Sequence, residues 1–521
     1  MAHNELERIT SDSSLLRLNE DILTEIVSYL HTRDALHLST TARGLHQVAK
    51  RQALSEIWLF RPEETIRICT YMLADIQGRI MCVRKLSVRS HGIGEYHDQA
   101  STHWQLLADF LEHAHNLRSL CIFPIGFLLQ AVPRMGDALA KLQYLQDIDL
   151  GGVDAASLKI LPCMRSNIRK IKIHAHFNAF SFEHLILNIS SMQSIQELDS
   201  ELSINRWTQP PIPPAFTDCQ LPKLRRLAVP SNTTTMSTCV RAFPELRVLH
   251  LGGQEISPEV NVVSALTACW PSLDVVQAHV TAFRRWPITC PVHTLFISGV
   301  LAMPSIQVQW DSTEDGALFL PIVLNAVTHT SPIVLKLSIM PYIDLAPTFW
   351  TDLAEIGTQI RCLIIQLCEF QDALQFQADL VEWMNTVPPI LASMRSLTHI
   401  QICIRGDMSR HFSCVVQAYD PDNPPPPPPI AIVPTYEIAQ EFSKILIKNL
   451  PSVRLVSVGF GFGFLPDGSE QMLGGGSFWW WKTVITPNGR NVQRIEDQAG
   501  INLQSRLCSV EFDSRLDFDR E

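Results

Sequence analysis

Leu145-Gln146-Asp147-Ile148-Asp149-Leu150 is one copy of a six-residue phrase that is apolar at positions 1, 4 and 6. The same phrase, complete or shortened, starts at Val83, Leu117, Ile168, Ile195, Leu224, Leu246, Leu273, Val292, Val334, Ile360, Leu397 and Val453. Its last two apolar residues alternate as on a half-buried strand, and the first anchors the turn that leads in. Several copies follow one local wording: Leu221-Pro222-Lys223-Leu224, Phe243-Pro244-Glu245-Leu246, Trp270-Pro271-Ser272-Leu273 and Leu450-Pro451-Ser452-Val453.

Helix-like segments lie between the phrases, at 104–115, 182–192 and 260–268. One strand and one helix cannot bury both of their faces, but stacked neighbours can. Recurrence at roughly 20–30 residues is similar to that of leucine-rich repeats. The resemblance implies a curved α/β solenoid over 81–460 with a parallel sheet on its concave side. The repeats are degenerate: spacing is irregular and the usual asparagine ladder is missing. The residues between the apolar positions point out of the sheet and become candidate target-binding positions. In order they are Lys85, Arg89, Asp147, Asp149, Lys170, Lys172, His174, Glu197, Asp199, Glu201 and Arg226, banded in alternating charge. The second half of that surface offers Phe296, Met340, Ile364, Gln366 and Gln401, which are uncharged.

Upstream, residues 1–14 are expected to be a short flexible tail. They precede Leu15-Leu16-Arg17-Leu18-Asn19-Glu20-Asp21-Ile22-Leu23-Thr24-Glu25-Ile26-Val27-Ser28-Tyr29-Leu30. Ile22, Leu23, Ile26, Val27 and Leu30 recur at helical spacing. Asn19 is placed to cap the helix, with Glu20 and Asp21 where its dipole favours anions. Thr32 or Asp34 can cap a second helix with apolar positions Ala35, Leu38, Ala42, Leu45 and Val48. So few residues cannot bury that much apolar surface alone. They need the rest of the chain or another protein.

Residues 15–60 resemble the F-box. The match lies at Leu18, Ile22, Leu23, Ile26, Tyr29-Leu30, Asp34, Leu36, Leu38-Ser39, Arg43 and Leu45, with Trp58 closing the segment. Asn19 stands where the family usually has proline. The resemblance implies docking on a Skp-type adaptor and, through it, on a cullin–RING ubiquitin ligase. The implied contacts are Leu18, Asn19, Ile22, Leu23, Ile26, Tyr29, Leu30, Leu36 and Leu38. An F-box followed by degenerate repeats is similar to the large F-box families of filamentous fungi. The function this implies is a non-catalytic substrate-recognition subunit, with the solenoid holding a protein target. A non-ligase scaffold is the alternative.

A linking helix is expected over 61–80, with Ile66, Met72, Leu73 and Ile76 on its apolar face. Downstream, a proline-rich loop spans 418–434. A β-rich cap over 461–521 is expected to close the solenoid, with alternate residues of Trp479-Trp480-Trp481 facing inward.

Hydrophobic residues make up 46% of the 521 and charged residues 18%, which allows a large core. The net charge of −10 argues against general nucleic-acid binding. No apolar run is long enough to span a bilayer, since 317–340 is interrupted by Asn325, His329 and Lys336. Thirteen scattered cysteines without a Cys-x-x-Cys fit reduced thiols in the cytoplasm or nucleus. The glycines at 459, 461 and 463 lack the context of a dinucleotide site, and His113/His115 and His174/His176 lack partners at metal spacing. No cofactor or metal is expected. A repeat-based enzyme would have to gather His174 with Asp149 and Asp199.

Overall fold

Each of the thirteen apolar phrases lies on a strand. The computed structural model describes residues 18–41, 43–89, 100–175, 180–202, 219–230, 236–252, 269–301, 316–339, 347–368, 373–405, 436–464, 470–487 and 489–510. The tail, Met340, the segment 260–268 and the proline-rich loop lie outside them. The chain divides into two units, Met1–Leu224 and Arg225–Glu521.

The first unit begins with three helices, α1 (Glu20–Ser28), α2 (Thr32–Thr41) and α3 (Arg43–Ala53). Strand β1 (Glu56–Leu59) and helix α4 (Pro62–Leu73) follow. Next come β2 (Lys85–Arg89), α5 (Ala100–His113), β3 (Ser119–Phe123), α6 (Ile125–Ala131) and α7 (Arg134–Ala140). The unit finishes with β4 (Asp147–Val153), β5 (Lys170–Ala175), α8 (Phe182–Ile189) and β6 (Glu197–Leu202). Strands β1 to β6 are parallel, each paired with the next in sequence. Because β1 pairs with β2, the sheet starts inside the segment that resembles an F-box. In α4, Thr65, Cys69 and Met72 are buried, whereas Ile66, expected inside, faces solvent.

The phrase works as anticipated at the level of side chains. Leu86, Val88, Leu120, Ile122, Ile148, Leu150, Ile171 and Ile173 are buried, and so are the anchors Val83, Leu117, Leu145 and Ile168. Full burial of such a side chain contributes roughly 1.5–3 kcal/mol, which is why a four-residue strand can be specified by two of them.

Backbone carbonyls take the place of an asparagine ladder. Arg84 O accepts from the N–H groups of Arg118 and Ser119 (2.8 and 3.0 Å), and Arg118 O from those of Gln146 and Asp147 (2.7 and 3.0 Å). Gln146 O and Arg169 O serve the next two strands in the same way. The residue just before the anchor adds a side-chain rung. Asn116 Nδ2 donates to Met81 O at 2.8 Å, Ser194 Oγ to Ile168 O at 2.7 Å and, in the second unit, Ser396 Oγ to Ile360 O at 2.9 Å. Turn polar groups are thus satisfied repeat by repeat.

The second unit holds β7 (Arg226–Pro230), α9 (Met236–Ala242), β8 (Val248–Gly252), β9 (Leu273–His279), α10 (Ala282–Arg285) and β10 (Val292–Leu301). It continues with α11 (Gly316–Thr330), β11 (Val334–Ile339), α12 (Pro347–Ile356), β12 (Cys362–Cys368), α13 (Ala373–Leu391) and β13 (His399–Arg405). Its last elements are α14 (Tyr436–Asn449), β14 (Leu455–Phe464), β15 (Glu470–Thr486), β16 (Gly489–Ile495) and α15 (Asp497–Leu507). Strands β7 to β14 are parallel neighbours in sequence order, and β15 and β16 add antiparallel.

Here both faces of the sheet are covered at the C-terminal end, and the tryptophans show how. Trp480 and Trp481 are both buried, not alternate ones. Adjacent strand residues point to opposite faces. Trp481 stacks on Tyr436 of α14, while Trp480 packs with Phe478, Leu455, Ile495 and Leu503, the last on α15. Gly500 makes that contact possible, because a Cβ there would lie 2.2 Å from the Trp480 ring. Phe296, Ile364, Gln366 and Gln401, expected on an open inner surface, are buried. The C-terminal helix closes over part of that face: Gln504 Nε2 donates to Gln401 Oε1, and Cys508 packs against the cluster of Val334, Cys362, Ile364 and Cys403.

Candidate functional site

Two surfaces of the first unit carry the residues singled out above. The first is built by α1–α3. Asn19 caps α1, its Oδ1 accepting from the Ile22 N–H at 2.8 Å, so its side chain serves the helix it precedes. Gln52 Nε2 on α3 reaches back to the carbonyls of Ser28 and Leu30 (3.3 and 3.2 Å), and Arg51 pairs with Glu20 at 3.2 Å. Inside, Val27, Val48 and Ala49 pack together with half-buried Leu30 and Leu38. Leu23 is only 7% exposed and belongs to this buried side. Expected as a partner contact, its side chain is buried within this chain. Leu18, Leu30 and Leu38 are half-buried.

The opposite side of α1 is apolar and open. Ile22 is 47% exposed, Ile26 41% and Tyr29 80%, and Leu36 on α2 is 57% exposed. Positions 22, 26 and 29 lie on one helical stripe. The Tyr29 hydroxyl donates to Glu25 Oε1 at 2.8 Å, and that hydrogen bond raises the phenol's pKa. Exposed apolar stripes of this kind mark interaction surfaces.

The second surface is the sheet face turned away from the core, where register places the charged positions in rows. Lys85, Ser119, Asp147, Lys170 and Glu197 form one row, and Ser87, Cys121, Asp149, Lys172 and Asp199 the next. A third row sets Arg89 beside Phe123, and Gly151, His174 and Glu201 side by side. Gly151 leaves the space that the Phe123 ring fills, since a Cβ would overlap it at 1.7 Å. Arg226 opens β7, in the second unit.

The bands largely neutralise one another. Lys170 Nζ lies 3.0 Å from Glu197, and Lys172 Nζ 3.6 Å from both Asp199 and Glu201. Arg89 is 3.7 Å from Asp149. His174 sits between two carboxylates, with Nε2 3.2 Å from Asp149 Oδ1 and Nδ1 2.7 Å from Glu201 Oε2. Those hydrogen bonds, to Asp149 first and Glu201 second, raise the imidazole to about 9. Burial favours a neutral Asp149, but the bond and charge of His174 outweigh it and hold the carboxyl below its ordinary range. At Asp199 burial wins and the carboxyl is pushed up.

Of the three residues an active site would have gathered, His174 and Asp149 meet directly, and Asp199 joins through Lys172. The meeting makes an imidazolium, which has no lone pair with which to take a proton. Among the described residues no group of three His, Cys, Asp or Glu side chains is arranged to hold a metal, and no helix is long and apolar enough to cross a membrane.

The His174 cluster sets a pH dependence. A base raised above its unfolded value of about 6.5 contributes stability that is complete below that value and lost as pH rises through about 9. The half-open Glu201 side lets solvent screen the pair, so the loss is of the order of 1–2 kcal/mol. Urea midpoints of the first unit are expected to fall between pH 6.5 and 9, and His174→Gln to flatten that slope.

Comparison with known proteins agrees with the first surface. Residues 15–56 match the F-box domain. The match takes in α1, α2 and α3 and stops at the first residue of β1. A search of curated proteins finds no match to the chain.

Proposed function

We propose that this protein is the substrate-recognition subunit of a Skp–cullin–F-box ubiquitin ligase. The observation that carries the reading is the F-box match over a helical hairpin whose outward stripe, Ile22, Ile26, Tyr29 and Leu36, has no cover within the chain's described residues. On this reading the stripe docks on the Skp-type adaptor. The protein does no bond chemistry and resides in the cytoplasm or nucleus, where that machinery works. It acts by proximity, holding a target so that its lysines meet the ubiquitin-loaded enzyme at high effective concentration. Strands paired in sequence order and helices packed behind them support a leucine-rich-repeat-like solenoid as the target-holding part. Pairing of β1 with β2 gives the F-box a fixed orientation on the first unit's sheet, which a proximity mechanism requires.

The target surface is the charged face of β2–β6. Its ion pairs are half-exposed and worth about 0–1 kcal/mol each, so they can be exchanged for pairs with a partner at little cost. Lys170→Glu with Lys172→Glu is expected to weaken target capture several-fold and leave adaptor binding unchanged. A parallel fall in both activities would remove the assignment.

Affinity purification with the intact chain and with Ile22→Asp plus Ile26→Asp tests the division of labour. The double variant should lose the adaptor and keep the other partners. Ubiquitination of a co-purified target in the presence of cullin then separates a ligase from a scaffold that binds the adaptor without turnover.

A further inference from the structure

The underside of the C-terminal helix in the second unit brings together three reactive side chains that the proposed function does not use. Cys362 opens β12, His399 opens β13 beside it, and Cys508 caps the end of α15. Cys362 Sγ lies 3.1 Å from His399 Nδ1 and 3.9 Å from Cys508 Sγ, across a sequence separation of 146 residues. Both cysteines are thiols. Cys362 and His399 are buried, whereas Cys508 is partly exposed.

We propose that Cys362 and Cys508 are a peroxide-sensitive thiol pair whose oxidation to a disulfide fastens the C-terminal helix to the sheet. The roles follow from burial. Peroxide reaches the partly exposed Cys508 first. Its sulfur attacks a peroxide oxygen, the O–O bond breaks and an S–O bond forms. The departing hydroxide takes the thiol proton and leaves as water, giving a sulfenic acid. Cys362 Sγ then attacks Cys508 Sγ, the S–O bond breaks, and the hydroxyl leaves as a second water carrying the Cys362 proton. Two thiols are oxidised and one peroxide is reduced to two waters, with no further reagent.

A disulfide needs its sulfurs at about 2.05 Å, so the pair must close by roughly 2 Å. A side-chain rotation at Cys508 can supply most of that, because the residue ends a helix and is not packed on all sides. The imidazole of His399, within hydrogen-bonding distance, keeps the Cys362 sulfur at the interface. Burial makes that imidazole neutral at physiological pH, so no charge competes for the site. The inference does not depend on the ligase reading, since it concerns only the second unit.

The test uses the full-length protein, reduced and then exposed to hydrogen peroxide, with peptide mapping under non-reducing conditions. A Cys362–Cys508 cross-link is expected before any other pair among the thirteen cysteines, reversible by dithiothreitol. The cross-linked protein should melt about 5–10 °C higher, because the tie closes a long loop. Cys508→Ser should abolish both the cross-link and the shift while leaving the melting temperature of the reduced protein unchanged. It also covers the case in which Cys362→Ser fails to fold. Cys508 oxidised to sulfinic acid with Cys362 unlinked, or cross-links spread over other pairs such as Cys269 and Cys290, would overturn the proposal.

Discussion

Gly500→Leu is expected to lift the C-terminal helix off the second unit. A Cβ at position 500 would lie 2.2 Å from the Trp480 ring, and that ring packs against Leu455, Phe478 and Ile495. The strand cannot move aside without breaking the β14–β15–β16 pairing, so the helix is the element that gives way. Undocking exposes Trp480, Gln401 and the Cys362 cluster together. A loss of at least about 3 kcal/mol is expected, the range of severe overpacking with its lost burial. Urea unfolding of the second unit and a red shift of tryptophan emission measure it. Ile501→Ala, at a neighbouring but exposed position of the same helix, should change stability by less than about 0.5 kcal/mol. Equal effects at both positions would refute the packing described.

Adjacent residues of α1 give the other large effect. Leu23→Asp puts an unpaired carboxylate at a buried position of α1 and should unfold the three-helix segment, a cost of several kcal/mol. Ile22→Asp puts the same charge on the exposed stripe. It should leave helical content and melting temperature intact while reducing adaptor affinity about 100-fold or more. Circular dichroism and adaptor titration of the two variants, side by side, distinguish a residue that builds the surface from one that presents it. Unfolding by both, or by neither, would contradict the orientation of α1.

That distinction marks where the sequence is readable and where it stops. Period alone finds α1, but Ile22, Leu23, Ile26, Val27 and Leu30 wrap too far round the helix to share one face. Leu23, Val27 and Leu30 turn inward and Ile22 and Ile26 outward, a division set by where α3 packs. The strands were legible because each phrase pairs an anchor with two alternating apolar residues, and every anchor so marked leads into a strand.

Rows on the sheet face also follow from strand alternation. What the bands do to each other does not: charges read as outward-facing are largely spent on neighbouring strands, because parallel register sets Asp149, Lys172 and Asp199 directly side by side. The turn rungs at Asn116, Ser194 and Ser396 were in plain view, one residue before their anchors, and could have been counted.

The C-terminal helix was not legible. Asp497-Gln498-Ala499-Gly500-Ile501-Asn502-Leu503 carries few apolar residues and a glycine mid-helix, which locally argue for a turn. Only the tryptophan it covers explains that glycine. Without that helix Ile364 and Gln401 read as open surface, whereas Cys508 and Gln504 cover them.

The outward stripe of α1 and α2, as a docking face for the adaptor, is what the proposed function depends on most. Titrating purified full-length protein with a Skp-type adaptor in a calorimeter tests this most directly. A saturating one-to-one complex is expected, with dissociation below about 1 µM, as several half-exposed apolar side chains become buried. No heat and no co-elution at tens of micromolar, about the weakest binding that could matter here, would contradict it.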